Sequence, residues 1–137
     1  MAFSASEVVN RILVVQDDPV MLGLVVGSLR PEGHHVIEVA NPVEALEIAR
    51  REGTSLDLII ARVDSRPITG IELSKRLTRC GIDIPMLFMS PTHSLAAVIA
   101  GTFGTTAVIE QPFTGAELRS SVKRCLNGQR RKPRRDT

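Results

Sequence analysis

Short aliphatic runs alternate with amphipathic stretches five times along this chain. Arg11 to Val15, RILVV, is rich in β-branched residues and stops at the polar cluster Gln16, Asp17 and Asp18, which predicts a strand leading into a helix. Asp18 suits the N-cap and Pro19 the first helical position. Leu22, Val25, Val26 and Leu29 then recur at i, i+3, i+4 and i+7, so one face of this helix points inward, and Pro31 helps to end it. Val36 to Ala40 predicts a second strand, after which Asn41 caps, Pro42 opens and Gly53 closes a second helix. Leu58 to Ala61 is wholly apolar, as a strand buried on both faces should be. It leads through a loop, Arg62 to Gly70, to a helix with Leu73, Leu77 and Cys80 on one stripe and Gly81 at its end. Pro85 to Met89 predicts a fourth strand, Ser94 to Ala100 a helix of small residues, and Thr105 to Ile109 the last strand. Thr114 caps a final helix with Leu118, Val122 and Leu126 at a spacing of four.

Five strand-plus-helix units with short connections imply parallel strands, because each crossover helix returns the chain to the same end of the sheet. The expected fold is therefore α/β: a doubly wound, five-stranded parallel sheet with helices on both faces. In such a fold the site lies at the carboxyl ends of the strands. That singles out Gln16, Asp17 and Asp18 after the first strand, Arg62 after the third, Ser90 after the fourth and Gln111 after the fifth.

With 137 residues, 43% of them hydrophobic, one domain can bury roughly two thirds of its unfolded surface and needs no staples. Tyr and Trp are absent, which leaves four Phe and few platforms for stacking bases. Cys80 and Cys125 stand far apart without paired Cys or His neighbours, so they read as ordinary thiols. His34, His35 and His93 have no i, i+4 partner and read as exposed loop residues rather than metal ligands. Ser90 has no adjacent His to activate it, and no Gly-rich phosphate loop is present. No apolar run reaches the roughly 18 residues of a membrane span, and a cytoplasmic protein is expected.

The small net charge hides an asymmetry. Residues 123 to 137 carry +6, and the other 122 residues carry −4. The chain divides into an N-terminal extension (1–10), a domain (11–127) and a basic tail (128–137). QRRKPRR, Gln129 to Arg135, has no apolar residue and reads as disordered.

RILVVQDDP, DLIIARVDSRPITGIEL, PMLFMS and VIEQPF together resemble, in order and spacing, the response-regulator receiver domain of two-component and phosphorelay signalling, across roughly residues 11 to 127. The resemblance implies the flavodoxin-like (βα)5 fold. It also implies a pocket in which acids after the first strand hold magnesium and an aspartate ending the third strand accepts a phosphoryl group. A Ser or Thr after the fourth strand and a Lys after the fifth bind the phosphoryl oxygens. Carried onto this chain, the first acid position is Gln16, the second is Asp17, and Asp18 follows them. The acceptor position is Arg62, the hydroxyl position is Ser90, and the Lys position is Gln111. The aromatic switch position is Val108, which has no ring to rotate.

A guanidinium stays protonated and is no nucleophile, so Arg62 cannot accept a phosphoryl group. Asp17 beside neutral Gln16 is short of carboxylates, so no metal or other cofactor is expected and magnesium binding should be weak or absent. Arg62 is expected to reach Asp17, or Asp18, and clamp the first strand to the third. The expected function is that of a pseudo-receiver: a stand-alone module of protein contact, not an enzyme, acting without phosphorylation. Its partner would be a kinase, another regulator or a second copy. The resemblance places docking on the fourth helix, fifth strand and fifth helix, with Thr105, Glu117 and Lys123. With no output domain after residue 127, the module would act on another molecule. Two alternatives stand beside this one. One is a receiver phosphorylated at an unorthodox Asp, Asp64 or Asp17. The other is nucleic-acid association through the tail, disfavoured by the acidic body and the lack of a basic helix face.

Overall fold

The computed structural model describes residues 9–131, and their side chains as far as 128. Strands and α-helices alternate along the described residues, with short 3-10 turns at Arg30–Glu32, Gly53–Ser55 and Thr105–Ala107: β1 (Arg11–Val15), α1 (Pro19–Leu29), β2 (His35–Val39), α2 (Pro42–Glu52), β3 (Leu58–Arg62), α3 (Gly70–Arg79), β4 (Met86–Ser90), α4 (His93–Phe103), β5 (Val108–Glu110) and α5 (Gly115–Arg131). All strand pairs are parallel and the order is β2-β1-β3-β4-β5. The doubly wound sheet expected from the alternation is what forms.

Successive strand residues face opposite sides of the sheet. Ile12, Val14, Leu58, Ile60, Leu87 and Met89 therefore bury against Val25 and Leu29 of α1 and Leu118, Val122 and Leu126 of α5. Their neighbours Leu13, Val15, Ile59 and Ala61 bury against Ala45, Leu46 and Ala49 of α2 and Leu73 and Leu77 of α3. Phe88 turns to a third cluster with Val63 and with Ile99 of α4. With no Tyr or Trp to supply bulk, aliphatic side chains carry almost the whole core.

Caps form where short polar side chains offered them. The Asp18 carboxylate accepts from the Val20 N–H at 3.1 Å, and Asn41 from the Val43 N–H at 2.7 Å. Thr114 and Glu117 make a reciprocal box, Thr114 Oγ1 accepting from the Glu117 N–H and Glu117 Oε1 from the Thr114 N–H.

Several boundaries differ from the sequence reading. Strand β5 begins at Val108, because a 3-10 turn occupies Thr105–Ala107 after Gly104 leaves α4 at φ 99°, and pairing with β4 starts only at Phe88↔Val108. Helix α4 runs from His93 to Phe103 because Thr92 takes the cap, accepting from the Leu95 N–H. His93 thus opens a helix, and His35 lies within β2, so neither is a loop residue. Helix α5 continues to Arg131, past the boundary expected at residue 127. The disordered tail expected from QRRKPRR lies largely outside the described residues. Cys80 does not join the inward stripe of α3: that helix closes at Arg79, and Cys80 is exposed at its C-cap.

The two thiols are consequently unequal. Burial pushes Cys125 up to about 11, and its Sγ donates to the Thr106 carbonyl at 3.2 Å. At pH 8 about one part in a thousand of Cys125 is the reactive thiolate. Alkylation followed by peptide mapping should modify Cys80 at least about a hundredfold faster than Cys125 in the folded protein, and denaturation should erase the difference.

Candidate functional site

Parallel pairing brings the ends of β1, β3 and β4 side by side, with Val15 beside Ala61 and Arg62 beside Met89. The polar residues singled out from the sequence gather at this end of the sheet.

Gln16 directly follows β1 and is 3% exposed. Its N–H donates to the Val39 carbonyl at 3.0 Å, and its Oε1 accepts from the Asp18 N–H at 3.0 Å. The second bond fixes the amide's orientation, so the atom left over is Nε2, buried without an acceptor among the described residues. Such an orphan costs about 1–3 kcal/mol. Asp17 is exposed, and no ion pair engages it among the described residues. The Asp18 carboxylate is committed to the α1 cap.

Arg62, the last residue of β3, does not clamp β1. Its Nε and Nη2 donate to the two carboxylate oxygens of Asp64, at 2.9 and 3.0 Å. The chain turns at Val63 and Asp64 directly after Arg62, and the guanidinium fork matches a carboxylate, so the acid two residues on wins over Asp17 beyond β1. Both side chains remain partly exposed, 31% and 45%, so the pair adds little to stability but sets where the cation sits.

Ser90 ends β4 and is fully buried; its hydroxyl donates to the Thr92 carbonyl at 2.8 Å, within its own loop. The Gln111 N–H donates to the Ser90 carbonyl at 2.8 Å, while Gln111 Oε1 is buried without a donor among the described residues. Val108 is half-buried and packs beside the Phe88 cluster.

The backbone of Gly70 lies directly against the carbonyl of Arg62, so closely that a Cβ there would overlap it. The Gly70 N–H also donates to the Val63 carbonyl at 3.2 Å. This contact folds the loop from Arg62 to Gly70 back over the end of β3. A shallow cleft results, lined among others by Gln16, Asp17, Ala40, Pro42, Arg62 and Arg66. Arg66 was not singled out from the sequence. A second cation four places after Arg62 was the only signal, and nothing in the spacing showed that the loop would turn it toward β1.

Beyond this end of the sheet, His93 Nδ1 lies 3.0 Å from Glu110 Oε2 and ties the start of α4 to the end of β5. Among the described residues no group of three or more His, Cys, Asp or Glu is placed to hold a metal, and no helix is long and apolar enough to cross a membrane.

Residues 12–123 match the family model described as the response regulator receiver domain. The chain is 34% identical over 109 residues to the transcriptional regulatory protein TcrA of Mycobacterium tuberculosis, covering 79% of this chain and 42% of that one. It is 33% identical over 128 residues to the response regulator MprA of Mycobacterium leprae, covering 90% of this chain and 53% of that protein. The chain thus spans about half the length of these curated relatives. Among solved structures it is similar to a CheY-like response regulator receiver domain protein from Methanospirillum hungatei. That likeness has TM-score 0.78 and 24% identity and covers 92% of this chain and all of the other. A receiver domain from Clostridium thermocellum gives TM-score 0.78 at 19% identity, covering 89% and 98%.

Proposed function

This chain belongs to the response-regulator receiver family, and from that premise we propose that it signals by protein contact without being phosphorylated. The observation that carries the reading is Arg62. A permanent cation ends β3 at the position where the family keeps its acceptor aspartate, and it is held there by both oxygens of Asp64. The pocket around it supports the same reading. Magnesium does not fit these residues: the first ligand position presents a buried amide N–H rather than a carboxylate, and a guanidinium stands across from Asp17. Gln111 is neutral where a cation would hold the transferred group, and the Ser90 hydroxyl is satisfied within its own loop. The module is not an enzyme on this reading, because its pocket offers neither a carboxylate at the end of β3 nor one at position 16 to join Asp17. Asp64 is a poor substitute acceptor, since its two oxygens are engaged by Arg62.

Contact would be made through α4, β5 and α5. Val98 of α4 is 62% exposed, and Phe103, 41% exposed, sets its ring 5.2 Å from that of Phe88. Thr105 and Lys123 are exposed as well, while the Glu117 carboxylate is occupied by the cap of α5. A kinase, another regulator or a second copy of the chain would dock on this surface.

Incubation with a small-molecule phosphodonor and magnesium, followed by intact-mass measurement, should leave the protein's mass unchanged. A stoichiometric phosphoryl adduct, on Asp64 or Asp17, would overturn the reading.

A further inference from the structure

We infer that the outward face of α1 is a contact surface between two copies of this chain, packed antiparallel across a two-fold axis. Helix α1, PVMLGLVVGSL, has no charged residue, and its one polar side chain, Ser28, is buried and donates to the Leu24 carbonyl at 2.7 Å. A helix that is apolar all round belongs in an interior. Here Val25, Val26 and Leu29 are buried in the core, yet Val20, Gly23, Leu24 and Gly27 share an exposed face, with Val20 81% and Leu24 37% exposed. The exposed sides of α2, α3 and α5 instead carry charges, among them Glu44, Arg50, Lys75 and Lys123.

The pattern of that face selects its occupant. Large and small residues alternate as Val20, Gly23, Leu24 and Gly27, and a Cβ added at either glycine meets nothing within 4 Å, so each glycine leaves a hollow in the helix surface. A second α1 turned end for end, with the axis between Gly23 and Leu24, sets Val20 against Gly27 and Leu24 against Gly23. Each exposed side chain then enters a hollow, as interdigitating packing requires, and the same patch serves both copies. Parallel pairing would oppose Val20 to Val20 and glycine to glycine. Charge agrees with the antiparallel arrangement. Asp17, exposed and without an ion pair among the described residues, precedes the N-terminal end of the face. At the other end Ser28 has Arg119 of α5 for a neighbour: a Cβ at Gly115 would lie 2.9 Å from Ser28 Oγ and 3.2 Å from Arg119 Nη1. Arg119 also has no ion pair among the described residues, whereas Arg30 is neutralised by Glu38 and Glu32 falls beyond the overlap. Turning the helix end for end brings Asp17 of each copy to the Arg119 end of the other. The face is short, since the 11 residues of α1 rise about 16 Å, and it falls below the roughly 800 Å² per partner of a standard interface. The dimer is therefore weak, with a dissociation constant of about 10–500 μM. Pairing through α1 leaves α4 and β5 open for a different protein.

Sedimentation of the full chain from about 10 μM to about 1 mM should show a reversible shift from monomer to dimer. Leu24→Lys and Gly27→Gln change outward positions, and Gln is a better helix former than Gly, so the thermal midpoint of Gly27→Gln in dilute solution should not fall. Both variants should raise the dissociation constant at least about tenfold. Asp17→Arg and Arg119→Asp should each weaken the dimer about threefold, and the two together should restore it, a rescue that loss of folding would not give. A monomer at every concentration, a dimer indifferent to Gly27→Gln, or a double charge swap without rescue would each overturn the inference. So would a dimer broken by Val98→Lys and not by Leu24→Lys, which would put the second copy on α4. The phosphodonor experiment bears on the proposed function alone and leaves this contact to be judged by sedimentation.

Discussion

Gly70→Ala is expected to destabilise the domain by about 2–4 kcal/mol, lowering the urea midpoint by about 1–2 M. The reason is backbone against backbone. The added Cβ would overlap the carbonyl of Arg62, which ends a strand paired on both sides and cannot retreat, and Phe88 packs close behind. Moving the glycine instead would strain its N–H bond to the Val63 carbonyl and lift the loop from Arg62 to Gly70 off the sheet. Gly23→Ala and Gly27→Ala are the matched controls. A Cβ at either meets nothing within 4 Å, so both should stabilise α1 by about 0.5–1 kcal/mol. If Gly70→Ala unfolds within about 0.5 kcal/mol of the parent, the loop does not sit where the structure places it.

The second large effect is a gain of chemistry. The triple change Gln16→Asp, Arg62→Asp and Gln111→Lys should turn the protein into a magnesium-dependent phosphoacceptor, because it supplies the three groups the pocket lacks while Ser90 is already in place. The new carboxylate at 62 would attack the phosphodonor's phosphorus as its bond to the donor's leaving group breaks, Asp17 with the new carboxylate at 16 would hold a magnesium ion that supplies charge screening, and the new ammonium at 111 would pair with the acyl phosphate's oxygens. Arg62→Asp alone has the nucleophile but neither the second metal ligand nor the cation, and should react about a hundredfold more slowly. Intact-mass time courses with and without magnesium compare the variants. A folded triple variant that takes no phosphoryl group would show that the strand ends are not arranged as in phosphorylated receivers.

Much of this pocket was legible because strand ends announce themselves. Apolar runs stop at Gln16, Arg62, Ser90 and Gln111, and parallel topology obliges those stops to share one end of the sheet. The clamp between Arg62 and Asp17 was the wrong pairing for a local reason. Two acids were within plausible reach of one guanidinium, and only three-dimensional placement shows that Asp64, two residues on past the turn, takes both donors. The orphaned Nε2 of Gln16 was equally out of reach, since it depends on which amide atom meets the Asp18 N–H. Cys80 misled because a stripe at helical spacing says nothing about where the helix stops.

Hydrophobic periodicity, caps and the order of the elements were sufficient to determine the sheet and its two helical layers, because each depends on residue type and near neighbours along the chain. The turn of Arg62 toward Asp64, the arrival of Arg66 in the cleft and the close seat of Gly70 against β3 were decided only by tertiary structure. They depend on how a loop between two packed elements folds back over a strand end, where distances of an ångström choose among partners that the sequence leaves equivalent.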